Sequence, residues 1–543
     1  MNAKEAKHKL EVVRTLLDTG MIAPVRPDKA VRSVLALRRW GPTPAAAYTG
    51  SAIRFPERQA IVDERGTLTF AEVDRRTNAL ARGLQRAGVK EGDGIAIMCR
   101  NHRGFVEATV AATKLGANAL YLNTAFAGPQ IADVMEREGP IALVYDEEFS
   151  NLVVHERDGV RIKRFVAWRD PDARVAAPAE DVLLEELIGR ESQEPLEPPV
   201  EKGKVVILTS GTTGTPKGAA RKQPDSIEPA AAMFSKIPLK AKETTMIAAP
   251  LFHTWGFGHF TLGLPLSSTL VIRRRFDPED TLRAVAEHRA STLVVVPVML
   301  QRILELDPET IASYDVSCLR VVAVSGSALP GELATKTMDA LGDVLYNTYG
   351  STEVAWATIA TPEDLRAAPG TAGRPPMGTV VKLLDSEGRE AAPGEGGRIF
   401  VANEMMFEGY TGGGNKEIVR GLMSTGDMGH FDAQGRLFVD GRDDDMIVSG
   451  GENVFPREVE DLLADHDQIE EAAVVGVADD QFGQRLKAFV VLHDGATLDE
   501  QAVKDYVKAN LARFKVPREV VFMDRLPRNA TGKVLKRELQ TLA

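Results

Sequence analysis

Cysteine is almost missing from this chain, with two residues, Cys99 and Cys318, among 543. Both lie in apolar runs (IAIMCR and VSCLRVV) without metal-ligand spacing. That excludes a disulfide scaffold or a thiolate zinc site and predicts buried thiols in a reducing, cytoplasmic setting. No run of eighteen apolar residues occurs, and MNAKEAKHKL lacks the apolar core of a signal peptide, so a soluble protein is expected. Positive charge is not in excess. A formal charge of −11 gives no general attraction to nucleic acid, so any anionic ligand must be held by a local site. What is present is an ordinary globular balance, 44% hydrophobic and 26% charged, in a chain too long for one core; two or more domains are expected.

The stretch Ile207–Ala220, ILTSGTTGTPKGAA, follows the apolar run Val205–Leu208, which reads as a buried strand. Five hydroxyls (Thr209, Ser210, Thr212, Thr213, Thr215) are broken by Gly211 and Gly214 and closed by Pro216 and Lys217-Gly218. Glycines let backbone N–H groups turn to one point, and hydroxyls and a lysine add donors around it, as a phosphate cradle needs. Its bland reading is a Ser/Thr/Gly turn between two strands. The G-x-x-x-x-G-K-[ST] spacing of a P-loop ATPase is absent.

Residues 3–22 and Val31–Trp40 have helical periodicity, and this N-terminal segment, 1–50, either packs on the main domain or touches a membrane surface through Arg32, Arg38, Arg39 and Trp40 beside Val34, Leu35 and Leu37. Then a hairpin turns at Arg65-Gly66, and a helix Phe70–Ala87 is capped near Thr69. Apolar strands and helices alternate from there: GIAIMC, Phe105–Leu115, Ala117–Asn123 and Ala142–Tyr145, then, past the cradle, the runs at 246–250, 268–272, 292–297, 319–326 and 343–350. This is parallel α/β patterning. Asp170–Pro199, rich in Pro, Ala and acid, reads as a surface connection. Gly370–Val439 suggests a small barrel-like subdomain. RDDD (Arg442–Asp445) reads as a hinge, and 447–543 as a compact α+β unit.

Six motifs then occur in one order: TSGTTGTPKG, PLFHTWG, YGSTE, STGD, GRDDDMIVSGGENVFPREVE and RNATGK. From about Gln59 to Lys533 the chain resembles the acyl-adenylate-forming superfamily, which includes acyl-CoA synthetases, peptide-synthetase adenylation domains and luciferases. The resemblance implies a large N-terminal AMP-binding domain (1–441), a hinge (442–445, pivot Asp444) and a small mobile C-terminal domain (446–543). It implies two half-reactions: ATP and a carboxylate give acyl-AMP and pyrophosphate, then a thiol displaces AMP. The residues it carries over for ATP and AMP are Thr209, Ser210, Gly211, Thr212, Thr213, Gly214 and Lys217 on the phosphates, Gly326, Ser327, Asn347 and Tyr349 around adenine, and Gly350, Ser351 and Thr352 near the α-phosphate. Asp427 and Arg442 would hold the ribose, and Lys533 would neutralise charge between carboxylate and α-phosphate. Glu353 and Thr212 would hold Mg²⁺, His253 would face the acyl carboxylate, and Gly450 and Gly451 would lie beside the CoA channel. Ser327 stands where relatives often have glycine, Gly412-Gly413-Gly414 replaces an Asn-Arg-Pro-Glu segment, and no Trp precedes STGD.

Phe252–Leu264 contains no acid to pair a substrate ammonium, which disfavours amino acids. With Trp255, Phe257 and Val354 it predicts an apolar acyl pocket for a medium- or long-chain fatty acid, with an aryl acid as the alternative. No carrier segment follows Lys533, so free CoA is the expected thiol and a separate acyl-carrier protein its rival. A catalytically silent nucleotide-binding scaffold is the non-enzyme alternative. The expected partners are therefore a small carboxylic acid, ATP and CoA, with peripheral membrane contact and a homo-oligomer left open.

Overall fold

The computed structural model describes residues 3–542 apart from 154–155, 158–159, 171–175, 210–216, 222–225, 386, 393, 412, 444, 446, 450–451, 480–482, 512–514 and 530–531. Two eight-stranded sheets make the body. The first runs Thr358–Ala360, Leu345–Tyr349, Val321–Val324, Thr292–Val295, Thr244–Ile247, Thr269–Ile272, Gln59–Asp63 and Gly66–Thr69. Its interior pairings are parallel, and only the two outermost are antiparallel. The second runs Gly409–Tyr410, Lys217–Arg221, Val205–Thr209, Asn118–Tyr121, Gly94–Met98, Ala142–Asp146, Lys163–Trp168 and Val182–Leu183. The inner strands (TLVV, VVAV, TLVI) are buried at every position, as strands covered on both faces must be.

Helix Arg103–Leu115, buried along its whole length, touches Gln59–Asp63 of the first sheet and Gly94–Met98, Asn118–Tyr121 and Lys163–Trp168 of the second. One continuous apolar core therefore joins both sheets. The hairpin and its helix form as the sequence predicts: Thr69 accepts from the N–H of Glu72 while Glu72 accepts from the N–H of Thr69, a reciprocal cap that starts helix Phe70–Arg86.

Where a barrel-like subdomain is expected, an antiparallel sheet of Val380–Leu384, Gly397–Ala402, Leu422–Phe431 and Ile418–Val419 forms, with Leu437–Arg442 also paired to Leu422–Phe431. A smaller C-terminal domain follows, with its own sheet (Glu452–Val454, Ile447–Ser449, Gly483–Leu492, Ile469–Asp479, and Glu519–Phe522 on Gly483–Leu492) and its own apolar core. Helices Pro456–Ala464 and Glu500–Asn510 cover it.

Two expectations are corrected, and a third is narrowed to one of its two readings. Asp170–Pro199 is not merely a connection: Val182–Leu183 adds a strand and Leu184–Arg190 forms a helix whose Leu184 and Ile188 are buried, apolar content enough to fix it to the body. Cys99 is fully buried, but Cys318 is only half-buried. Trp40 and Ala36 turn inward, so Trp40 is a packing residue and not a surface one.

Candidate active site

Parallel strands end at one side of the sheets, and the loops beyond their carboxyl ends carry most of the predicted residues. The cradle is the loop of a hairpin: Val205–Thr209 pairs antiparallel with Lys217–Arg221, Thr209 directly opposite Lys217. Ser210, Gly211, Thr212, Thr213 and Gly214 lie outside the described residues. Lys217 places Nζ over the ring of Tyr410, 5.2 Å from its centroid. Tyr410 is held there because Gly409–Tyr410 pairs along Lys217–Arg221. Its hydroxyl donates to Glu353 Oε1 at 2.7 Å. Burial and the Glu353 charge raise the Tyr410 pKa, so it stays a neutral donor.

Glu353 is thus built into a line with Tyr410 and Lys217, and its carbonyl accepts from Phe407 N–H at 2.8 Å. The turn that presents it needs Gly350, where a Cβ would lie 2.4 Å from the Ala355 oxygen. A hard carboxylate beside a phosphate-facing lysine suits magnesium, which binds through one or two protein oxygens and otherwise through phosphate and water. Thr212, the second expected ligand, lies outside the described residues. The cluster Cys99, His102 and Asp146 is a different feature. There the His102 ring is already satisfied, by Asp146 Oδ1 at 2.7 Å on Nε2 and by the Gly104 N–H on Nδ1.

On the nucleoside side, Asp427 and Arg442 are direct cross-strand partners, with Arg442 Nε 3.8 Å from Asp427 Oδ1. The Tyr349 hydroxyl, at the end of strand Leu345–Tyr349, donates to Asp427 Oδ2 at 2.6 Å and to Thr425 Oγ1 at 3.2 Å. Burial raises the Asp427 pKa, and the Tyr349 hydrogen bond and the charges of Arg442, Lys533 and Lys416 oppose it. Burial, with the Asp427 charge and hydrogen bond, raises the Tyr349 pKa well above that of a free phenol. Besides the adenine stacking expected of it, Tyr349 therefore orients the Asp427 carboxylate. Asn347 is buried on the same strand, and Gly326, with φ +98°, turns the chain beside Ser327 after strand Val321–Val324.

Lys533 is exposed on a tight turn whose ends bond reciprocally, Lys533 N–H to Asn529 Oδ1 and Asn529 N–H to Lys533 O, both 2.9 Å. Its neighbour Gly532 has φ +78°, and a Cβ there would meet Val298 Cγ1 at 2.3 Å. This turn is pressed on the first residues of helix Pro297–Leu304, which brings the Lys533 charge to bear on Asp427. Arg457 also donates to the Val439 carbonyl at 2.9 Å across the two domains. Asp444, Gly450 and Gly451 lie outside the described residues.

On the acyl side, His253 caps helix Thr254–Gly263, an element missed in the sequence because its apolar residues and glycines follow no 3.6-residue stripe. His253 Nε2 is shielded with no hydrogen-bond partner, and burial lowers the ring pKa to about 4, so it is neutral at pH 7. Thr254 Oγ1 donates to Thr352 Oγ1 at 3.1 Å, which ties the helix to the YGSTE turn. Trp255 Nε1–H donates to the Val295 carbonyl at 2.9 Å and meets His259 edge-on with centroids 4.5 Å apart. Phe257 lies 4.9 Å from Tyr121 and 5.8 Å from Phe260. The side chains expected to line an acyl pocket are therefore largely aromatic and packed against other rings. Val354 is corrected: it is fully buried with Ala357, Val381 and Leu383 in the core beside the antiparallel sheet, and so does not line the wall. Tyr410, Thr254 and Thr425 went unread, since nothing in their local sequence names partners 57 or more residues away, and Lys416, whose charge acts on Asp427, lies in a segment without a motif.

Comparison with known proteins accounts for this arrangement. Residues 49–411 match the AMP-binding enzyme family and 458–533 its C-terminal domain, "AMP-binding enzyme C-terminal domain". Indoleacetate–CoA ligase of Aromatoleum aromaticum is 32% identical over 91% of this chain and 95% of its own length. Feruloyl-CoA synthase of an Amycolatopsis species is 34% identical over 89% and 96%. The solved o-succinylbenzoate CoA synthetase of Bacillus subtilis, in complex with its acyl-adenylate intermediate, is 28% identical with TM-score 0.77 and covers 91% of this chain and 97% of that one. The chain belongs to the AMP-binding enzyme family of the acyl-adenylate-forming superfamily, and it is an AMP-forming acid–CoA ligase.

Proposed function

We propose that the acid is an aryl or arylalkyl carboxylate rather than a fatty acid. The observation that carries this is the ring-lined start of helix Thr254–Gly263, where Trp255, Phe257, His259 and Phe260 follow His253 within one helix. Flat rings are matched by offset or edge-on ring walls, which contribute about 0.5–1.5 kcal/mol per pair beyond area burial. The similarity to ligases named for indoleacetate, ferulate and succinylbenzoate supports the same reading.

In this reading, Lys217 and the hydroxyl loop hold the β- and γ-phosphates, and Asp427 and Arg442 hold the ribose. Neutral His253 shapes the mouth through which the acid carboxylate reaches the α-phosphate. Lys533 brings a positive charge to the two anionic reactants, and Thr352, fixed by Thr254, supplies a hydroxyl beside them. Magnesium, when bound at Glu353 with Thr212, neutralises phosphate charge. No enzyme nucleophile is needed, because orientation and charge stabilisation carry phosphoryl-centre displacement. Residues 446–543 turn about the 442–445 segment to admit CoA beside Gly450 and Gly451 for the second half-reaction.

Acid-dependent ATP–pyrophosphate exchange over a panel of indoleacetate, cinnamate-type, benzoate-type and C2–C16 alkyl acids tests this. Exchange with aryl acids, followed by thioester formation with CoA, is expected. Exchange confined to alkyl acids, or transfer only to an acyl-carrier protein, would overturn it.

A further inference from the structure

Residues 3–40 present a surface that the ligase reaction does not use. Among the described residues, thirteen large apolar side chains are exposed, and eight of them lie between Leu10 and Leu37. Seven of the eight fall on two consecutive helices, Ala3–Asp18 and Pro27–Trp40, and Ile22 lies in the connection between them; both helices precede the family match that starts at residue 49.

Each helix is apolar on two sides. In the first, Val12 and Leu16 are buried against the body, while Leu10 (69% exposed), Val13 and Leu17, at i, i+3 and i+7, point away with Arg14 among them. In the second, Ala36 and Trp40 are buried, while Val31 (60% exposed), Val34 and Leu35 point away with Arg38 one turn on. Only the inner side is explained by the fold. The outer side is the pattern of a helix lying in a membrane interface, apolar residues flanked by cationic ones. An apolar cluster of this size on a soluble chain marks an interaction site.

Charge selects the occupant. Residues 1–40 contain nine Lys or Arg and four Asp or Glu, in a chain whose net charge is −11. A second copy meeting this face across a two-fold axis would bring one net-positive segment against another. An anionic lipid surface instead attracts them and accepts the apolar side chains between headgroups. No helix of the described residues is long and apolar enough to cross a membrane, so the surface lies on the bilayer and does not span it. We propose that helices Ala3–Asp18 and Pro27–Trp40 form a docking face for the headgroup layer of an anionic bilayer.

The test is flotation of the full chain with phosphatidylcholine vesicles, with and without one third phosphatidylglycerol. Binding is expected only to the anionic vesicles, and it should weaken as salt rises. A Leu10→Glu/Leu35→Glu variant and, separately, an Arg14→Glu/Arg38→Glu variant should each bind at least about tenfold less. Both should keep wild-type ATP–pyrophosphate exchange, which shows that they are folded. Equal flotation of the variants, equal binding to neutral vesicles, or a dimer in sedimentation equilibrium that Leu35→Glu dissociates would overturn the proposal.

Discussion

Removing one hydroxyl at Tyr349 tests how the ribose carboxylate is held. The Tyr349→Phe variant keeps the ring and its packing and deletes only the donor 2.6 Å from Asp427 Oδ2. Asp427 is buried, its pKa is already raised by burial, and the Tyr349 hydrogen bond is the largest of the interactions holding it down. Loss of that bond must raise the pKa further and free the carboxylate to rotate. A hydrogen bond to a charged group contributes about 1.5–3 kcal/mol net, which caps the loss at about 10- to 100-fold. A group that holds ribose acts on substrate binding, so KM for ATP should rise within that range while kcat for acyl-AMP formation changes little. The acid limb of kcat/KM for ATP should also move to higher pH, because protonated Asp427 cannot accept two hydroxyl hydrogen bonds. Steady-state pyrophosphate release at varied ATP between pH 5 and 9 measures both. A fall in kcat with unchanged KM, or an acid limb that does not move, would refute the reasoning.

Three further outcomes follow from the same geometry. Gly532→Ala puts a Cβ against Val298 at a residue with φ +78°, a conformation costing an L-residue about 1–2 kcal/mol; acyl-AMP formation should fall about tenfold or more while thioester formation from supplied acyl-AMP is spared. Lys533→Ala should show the same split at about 10²–10³-fold, and equal loss in both half-reactions would contradict either assignment. For Asp427, a folded pKa raised above the unfolded one means stability that is full below the unfolded value and lost as pH rises through the folded value. Asp427→Asn should therefore weaken ATP binding yet melt on the order of 1–2 °C higher than wild type in the ligand-free state at pH 7, and the gap should close towards pH 4. A pH-independent gap would refute this.

The parts of the molecule legible in its sequence are those where one local stretch suffices. Lys217, Tyr349, Glu353, Asp427, Arg442 and Lys533 sit in short motifs whose chemistry is written in adjacent residues, and the structure sets all but Asp427, which lies within strand Leu422–Phe431, at a strand end or on a turn. Hidden features depend on distant partners. Tyr410 matters because an antiparallel pairing sets it between Lys217 and Glu353, 57 residues from the latter. Helix Thr254–Gly263 has no polar face to give it a period, since its half-buried and buried positions alike carry apolar residues, glycine or threonine, with His259 the exception. Val354 closely follows the YGSTE motif in sequence, yet the turn that carries it sets it into a different core.

The hydroxyl pair Thr254–Thr352 joins the first residue of the ring-lined helix to the turn that carries Glu353. In the proposed function, the turn on one side of that joint serves the phosphate chemistry common to all acids, and the helix on the other side faces the variable acid. The joint also gives the lineage a seam along which it can change. Replacements at Trp255 or Phe257 alter what is recognised while Thr254 still holds the reacting geometry in register. Exchanging helix Thr254–Gly263 between related ligases, with Thr254 retained, is accordingly a route to new acids that leaves the adenylating half of the machine intact.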